Sequence, residues 1–304
     1  MVRRSNENSS TLIQYRALQD QSILRMFILP TIILLIVINV FPLFYSLILS
    51  FSNFTAKFPL VWGKNPRFLG IENYIRLAND PDIWHRFVTT AKYVVLSVGG
   101  EMILGFVFAL LLQIKFKGRE IITTLLVLPM TMSPVIVGLM WKLFYDPNWG
   151  MFNYLLGLGK IDWATDLKYN LYASAIADIW MWTPFVMLLA LAGLGAVPQY
   201  LYEAAEVDRA SWWYKFSRIT LPMVWPLLLI ALIFRTMEAF KVFDVTMGIS
   251  GRGASAPALL SISLYDTAFV TWKTGIGSAL GYIVLIIIIA ITNIFVKYLN
   301  KAKQ

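Results

Sequence analysis

The chain is organised around residues 202–226, YEAAEVDRASWWYKFSRITLPMVWP, a polar stretch that separates two long apolar runs. Glu203, Glu206 and Arg209 recur at every third position, which predicts that they share one face of a short helix. Asp208 is expected to close this helix, and Ser211 is placed to cap a second one. A charged helix that also carries small alanines suits either a groove on another protein or the headgroup region of a membrane, and the pattern leaves both open.

Composition places the chain in a membrane. Of its 304 residues, 58% are hydrophobic and only 14% are charged, which is unlike a soluble domain. Long apolar runs cover residues 26–51, 88–114, 121–145, 171–197, 219–249 and 275–298. Each run exceeds the roughly twenty residues that cross a hydrocarbon core about 30 Å thick. The sequence therefore predicts an all-α integral membrane protein with six transmembrane helices.

The distribution of lysine and arginine predicts which side each loop occupies, since six crossings put both termini on one side. The termini, the 115–120 turn and the 198–218 loop carry Arg3, Arg4, Arg16, Arg25, Lys115, Lys117, Arg119, Arg209, Lys215, Arg218, Lys297, Lys301 and Lys303. The three opposite loops are longer in sum and carry fewer basic residues, namely Lys57, Lys64, Arg67, Arg76, Arg86, Lys160, Lys168, Arg252 and Lys273. By the positive-inside rule, both termini and the 198–218 loop are expected to be cytoplasmic.

These patterns predict a multi-pass protein of the cell (inner or plasma) membrane in three parts. Residues 1–25 are expected to form a cytoplasmic N-terminal segment, residues 26–298 the transmembrane domain, and residues 299–304 a cytoplasmic tail. The net charge of +9 follows mostly from this sidedness, and no basic stripe interleaves with exposed aromatics, so nucleic-acid binding is not expected.

Several kinds of chemistry are absent from the sequence. The chain has no cysteine, which excludes disulfides, thiolate metal sites and cysteine nucleophiles. Its single histidine, His85, has no neighbouring partner for a metal, so neither a metal site nor a catalytic residue is predicted. Nothing resembles the phosphate-cradling G-x-x-x-x-G-K-[ST] loop, so the chain is not expected to be an enzyme that hydrolyses ATP or to hold a cofactor itself.

Polar residues and prolines inside the apolar runs predict local features of the bundle. Pro129 and Pro134 predict a break in the third run. Glu101 is expected to face the bundle, because a carboxylate at that depth is costly unless it is paired or hydrated. In the fourth run Asp178 lies near Trp182, a combination that suits sugar recognition through ring stacking and hydrogen bonds. A plain aromatic belt with one buried aspartate is the alternative interpretation.

Charges in the fifth run alternate in sign at three-residue steps, in the order Arg235, Glu238, Lys241 and Asp244. Successive members are helical neighbours, so they are placed to neutralise one another within the helix. Four ionisable groups near a helix end also mark a hydrated pathway. The spacing leaves these two interpretations open.

The 202–226 stretch resembles a known loop. Its EAA triplet at 203–205, followed by Asp208, Ala210, Phe216 and the ITLP sequence at 219–222, is similar to the EAA loop of ABC-transporter permeases. The resemblance is to binding-protein-dependent carbohydrate importers related to the maltose permeases, and it implies a type I ABC importer permease fold. In that family the loop, here about 198–222, is a coupling helix that docks into a cytoplasmic ATPase subunit.

The resemblance also implies residue roles. The implied ATPase-coupling residues are Glu203, Ala204, Ala205, Asp208, Arg209, Ala210, Leu221 and Pro222. The family usually has glycine at the position of Arg209, and glycine tolerates positive φ more readily than arginine. The implied sugar contacts, together with the carboxylate of the fourth run, are Asp178, Met181, Trp182, Phe185, Arg235, Glu238 and Ala239.

The implied partners are a second homologous permease, two ATPase subunits that carry ATP and magnesium, an extracytoplasmic sugar-binding protein, and the carbohydrate itself. Two other classes of function are alternatives. A secondary transporter or channel would use Glu101, Asp178 and Glu238 as a proton relay, but such folds commonly contain inverted repeats and the sequence shows none. An intramembrane enzyme would have carboxylates alone for acid–base chemistry. Neither alternative explains the EAA loop.

Overall fold

The computed structural model describes residues 26–56 and 67–302. The predicted N-terminal segment 1–25 and the last two residues of the predicted tail lie outside the described residues. In chain order the helices are α1 (Met26–Ser50), α2 (Glu72–Ala78), α3 (Pro81–Gln113), α4 (Arg119–Thr131), α5 (Pro134–Phe144), α6 (Met151–Leu156), α7 (Asn170–Gly195), α8 (Gln199–Val207), α9 (Trp212–Phe240), α10 (Asp244–Ser250), α11 (Leu260–Val270) and α12 (Thr274–Ala302).

Five of the helices in the described part of the chain are long and apolar enough to cross a membrane, namely α1, α3, α7, α9 and α12. A sixth apolar segment is broken, because α4 and α5 meet at an angle of 101°. The break lies between Pro129 and Pro134, as the sequence predicts. Pro134 disfavours helical geometry at the residue before it, and Ser133 is extended, with φ −64° and ψ 132°.

The broken α4–α5 segment supplies the remaining one of the six crossings, and it is the third in chain order. Helices α3 and α7 run parallel, since a Cβ atom built on Gly100 would touch Ile179 and one built on Gly105 would touch Val186. Two parallel crossings require the chain to return across the membrane between them. Among the described residues 114–169, only the α4–α5 pair is long and apolar enough to make that return.

Helix α7 lies at the centre of the bundle and packs against both α3 and α9. The fit is close: a Cβ atom at Gly105 would lie 2.6 Å from the Cβ atom of Val186, and one at Gly193 would lie 2.9 Å from Cγ1 of Val224. Small residues at such crossings let helix backbones approach each other. The arrangement brings side chains from α3, α7 and α9 together in the interior.

The fifth crossing is shorter than the apolar run 219–249 predicts. Helix α9 ends at Phe240, and α10 begins at Asp244 and packs against α5 instead. Glycines face each other where α10 meets α5: a Cβ atom at Gly138 would lie 2.4 Å from the backbone oxygen of Val245, and one at Gly248 would lie 2.8 Å from Cα of Gly138. The backbones of α5 and α10 are therefore in direct contact.

Two crossings contain a π-helical turn just before a proline. In α1 the turn covers Ile36–Val40 and precedes Pro42, and in α9 it covers Phe216–Thr220 and precedes Pro222. Proline lacks an N–H group, and its ring crowds the carbonyl four residues earlier. A wider turn relieves that crowding: the Leu221 N–H donates to the oxygen five residues back rather than four.

Candidate functional site

The loop between α7 and α9 consists of α8 and a sharp turn. Helix α8 ends at Val207, with Asp208 at its C-cap, in agreement with the sequence prediction. Ser211 caps the next helix, since its Oγ atom accepts a hydrogen bond of 3.2 Å from the backbone N–H of Tyr214. Both ends of the turn are therefore determined by local sequence signals.

Arg209 makes the turn possible by adopting a left-handed conformation, with φ 51°. The predicted helical face shared by Glu203, Glu206 and Arg209 is therefore wrong for Arg209, because α8 has already ended. Its N–H donates to the oxygen of Glu206 at 3.0 Å, and the N–H of Ala210 donates to the oxygen of Ala205 at 2.8 Å. Glycine is the usual residue at such a helix end, so this turn forms with arginine at some strain.

Arg209→Gly is expected to stabilise the turn by about 0.5–1 kcal/mol, because glycine has no Cβ atom to crowd at positive φ while its greater freedom in the unfolded chain offsets part of the gain. Thermal unfolding of the purified protein measures the change. Arg209→Ile is the matched contrast and is expected to destabilise the protein, since β-branched residues rarely adopt positive φ. Equal melting temperatures for the two variants would contradict this account of the turn.

The loop is attached to the bundle by two polar contacts. The hydroxyl groups of Tyr202 and Thr220 lie 2.9 Å apart, and Lys215 Nζ donates to Glu206 Oε1 at 3.1 Å. Thr220 is buried at the end of the π-helical turn that leads into the crossing part of α9. The hydroxyl pair therefore connects α8 directly to the base of the fifth crossing.

The outer surface of the loop presents both charge and apolar area. Glu203 and Ala204 are exposed, whereas Ala205 is buried against the bundle. Of the other predicted coupling residues, Asp208, Arg209 and Pro222 are exposed and Ala210 and Leu221 are half-buried. Large exposed side chains flank them, namely Tyr200, Val207, Trp212, Trp213 and Tyr214. Exposed carboxylates surrounded by large apolar side chains suit a protein-binding surface.

A buried cluster of charges joins three crossings in the interior. Arg235 of α9 donates to both carboxylate oxygens of Glu101 of α3, from Nε at 2.6 Å and from Nη2 at 2.8 Å. Its Nη2 atom also donates to Asp178 Oδ2 of α7 at 3.1 Å. None of the three residues is more than 2% exposed. Glu101 faces the bundle, as predicted, because this pairing offsets the cost of a carboxylate in the membrane.

Of the pairs that the alternation of charges along one helix predicts, only Glu238 with Lys241 forms. Arg235 bonds to α3 and α7 rather than to Glu238, and Glu238 pairs with Lys241 at 2.8 Å in an exposed position. Asp244 begins a separate helix, α10, so it does not lie on the same helix face as the other three charges. The reason is depth: Arg235 is buried and needs buried acceptors, whereas Glu238 and Lys241 lie at the end of α9.

Aromatic side chains extend from the cluster to the surface. The guanidinium carbon of Arg235 lies 4.6 Å from the ring centroid of Trp182, a cation–π contact. The ring of Trp182 meets Phe185 edge-on at 6.4 Å, and Phe185 meets the exposed Phe234 at 6.5 Å. Trp182 and Phe185 are half-buried, so this aromatic row links the interior charge to an open face of the bundle.

The structure thus divides the residues predicted to contact sugar into three groups. Trp182, Phe185 and Glu238 have accessible surface. Asp178 and Arg235 belong to the buried cluster, and Met181 and Ala239 are each 1% exposed within apolar cores. The sequence predicts that Glu101 faces the bundle but does not include it among the sugar contacts. The cost of a carboxylate in the membrane indicates that Glu101 needs a buried cationic partner, but it does not identify which cation that is.

The described residues form six apolar crossings, an exposed helical loop between the fourth and the fifth, and a buried charge cluster beside an aromatic row. These features define a polytopic helical membrane protein. Comparison with known proteins agrees. Residues 101–304 match the family described as "Binding-protein-dependent transport system inner membrane component", and the chain belongs to that family.

Similarity to individual relatives extends over nearly the whole chain. It is 33% identical over 296 residues to the trehalose/maltose transport system permease protein MalF of Thermococcus litoralis, which covers 96% of this chain and 97% of the relative. It is 32% identical over 279 residues to the trehalose transport system permease protein SugA of Mycobacterium tuberculosis, which covers 91% of this chain and 88% of the relative.

A solved structure shares the fold. A chain of a bacterial ABC transporter involved in the import of the acidic polysaccharide alginate superposes with a TM-score of 0.81 at 21% identity, covering 96% of this chain and 99% of that chain. The predicted all-α fold of a type I ABC importer permease is therefore confirmed. At this identity the match supports the fold alone.

Proposed function

We propose that this chain is the transmembrane permease subunit of an ATP-driven importer of a carbohydrate. The observation that carries the proposal is the 33% identity to a trehalose/maltose permease protein across 96% of the chain. A match of that extent includes the crossings and the loop together rather than one motif. The class of substrate is a sugar, glycoside or polyol, and trehalose and maltose are the first compounds to test.

The exposed loop is proposed to couple this subunit to a separate ATPase. Glu203 and its large apolar neighbours form the surface that an ATPase groove would receive, and the Tyr202–Thr220 contact connects that surface to the fifth crossing. Closure of the ATPase would then move α8 and α9 together, a rigid-body form of alternating access. ATP and magnesium are proposed to bind on the ATPase, since this chain has no phosphate-cradling loop.

The remaining partners follow from the same assignment. A second, homologous permease would complete the translocation path, and two ATPase subunits would bind on the cytoplasmic side, where the distribution of basic residues predicts both termini and the loop. A sugar-binding protein would deliver the substrate from outside. One related structure supports that partner: it contains an alginate ABC transporter in complex with a pentasaccharide-bound periplasmic protein.

Uptake of labelled trehalose and maltose by cells with and without this chain tests the proposal. Uptake is expected to require this chain, the ATPase and the binding protein. Equal uptake in a strain that lacks the ATPase would contradict the proposal and favour a secondary transporter or channel.

Trp182→Ala and Glu238→Gln are each expected to weaken sugar-stimulated ATPase activity about five- to tenfold, because each removes a proposed stacking or hydrogen-bonding contact worth about 1–1.5 kcal/mol. The measurement is ATP hydrolysis by the assembled transporter with its binding protein, with and without trehalose. Trp149→Ala and Glu72→Gln are matched controls, since both residues are exposed and lie outside the proposed path. Unchanged stimulation in both site variants would mean that these residues do not contact sugar.

A further inference from the structure

Arg235 lies between a carboxylate on one helix and an aromatic ring on another. On one side it makes two hydrogen bonds to Glu101, and on the other its guanidinium carbon lies 4.6 Å from the ring centroid of Trp182. Because Arg235 is only 2% exposed, it has almost no surface with which to touch a substrate. Its contacts are better suited to holding other side chains in place.

Glu101 determines how the guanidinium is oriented. Two bonds to two different nitrogens fix both the position and the rotation of a planar guanidinium, whereas the single bond to Asp178 leaves rotation free. Glu101 belongs to α3, a helix that contributes none of the predicted sugar contacts. Any effect of Glu101 on a substrate must therefore pass through Arg235.

We propose that Glu101 is a positioning residue: by holding Arg235, it fixes the orientation of Trp182 and so determines how the permease holds a carbohydrate ring. The effect on sugar rests on the proposed function, whereas the effect on Trp182 does not. Fixing the ring in advance matters because a side chain that must be ordered on binding weakens the complex. The cation–π contact is the physical link between the buried charges and the aromatic row.

Fluorine NMR of Trp182 tests the positioning directly. The full-length protein, assembled with its partner subunits in lipid nanodiscs, would be labelled with 5-fluorotryptophan, and its Trp182 resonance would be assigned with Trp182→Phe among the 11 tryptophans. Glu101→Gln replaces one acceptor oxygen with an amide N–H₂ group, which cannot accept from Arg235. The bidentate pair is lost, and the Trp182 resonance is expected to shift and broaden.

Two further variants keep the test decisive. Arg235→Lys keeps the positive charge but lacks the planar fork, so it is expected to move the Trp182 resonance even if Glu101→Gln folds poorly. Glu72→Gln, the same change at an exposed glutamate that also pairs with an arginine, is expected to leave the resonance in place. An unchanged Trp182 resonance in both Glu101→Gln and Arg235→Lys would overturn the proposal.

Transport provides the second readout. At trehalose concentrations well below saturation, Glu101→Gln is expected to reduce uptake about fivefold, in line with the loss of about 1 kcal/mol from a partly buried cation–π contact. A shifted resonance with normal uptake would overturn the functional half of the proposal. Failure of the unaltered transporter to take up trehalose or maltose would instead count against the proposed function, and it would leave the positioning of Trp182 to be decided by the NMR result.

Discussion

Arg235→Met is expected to leave little folded protein. The change removes the only cationic partner that Glu101 and Asp178 have among the described residues and leaves two carboxylates facing each other in the interior of the bundle. Breaking a buried ion pair in this way costs about 3–5 kcal/mol, a large part of a typical stability of about 5–15 kcal/mol. Size-exclusion chromatography and thermal unfolding of the protein in detergent measure the loss.

Removal of a negative charge from the same cluster provides a matched control for this prediction. Asp178→Asn removes a carboxylate from a cluster that has two carboxylates and one guanidinium, and the Glu101–Arg235 pair remains intact. Its cost is expected to be about 1 kcal/mol or less, since an asparagine oxygen still accepts the single bond from Arg235. If Asp178→Asn were as damaging as Arg235→Met, charge balance would not be the reason for the cluster's importance.

Glu203→Lys is expected to abolish transport and sugar-stimulated ATP hydrolysis while the protein still inserts and folds. Glu203 is exposed on the loop and has no ion-pair partner among the described residues, so its replacement disturbs no internal contact. Reversing its charge would place two like charges together wherever an ATPase offers arginine or lysine, and such an interface contact costs several kcal/mol. Uptake assays and co-purification with the ATPase measure the effect.

Glu120→Lys is the matched control for this charge reversal. Glu120 is also exposed and lies in the turn that is predicted to face the same side of the membrane, but it is outside the loop. Its reversal is expected to leave uptake and co-purification near normal. Loss of transport in both variants would point to a general effect of surface charge, and normal transport with Glu203→Lys would remove the proposed coupling role from this glutamate.

Structural features that are determined by residues adjacent in the chain could be predicted from the sequence. The break in the third crossing follows from two prolines, and the start of α9 follows from Ser211, because both are local constraints on the backbone. The crossings themselves follow from hydrophobic length. The residue at which α9, the fifth crossing, ends could not be predicted, since no glycine or proline lies between Pro226 and Gly248 to mark it.

The partner of Arg235 could not be read from the sequence. Spacing favours Glu238, three residues along the same helix, whereas the actual partner, Glu101, is 134 residues away in the chain. Which of two carboxylates an arginine reaches depends on how the helices rotate when they pack, and that rotation is determined by close contacts such as Gly105 with Val186. The predicted sugar contacts remain predictions, because the proposed second permease would supply the other wall of the translocation path.

The bend in the third crossing has a consequence for biosynthesis. With 13 and 11 residues, α4 and α5 are about 20 Å and 16 Å long, so the bend falls within a hydrocarbon layer about 30 Å thick. Backbone groups freed there need protein cover, and α10 lies against α5. Since a chain grows by about 5–20 residues per second, Gly248 leaves the ribosome about 5–20 s after Gly138. The third crossing therefore enters the membrane before the helix that packs on it exists, and its final shape is reached only late in synthesis.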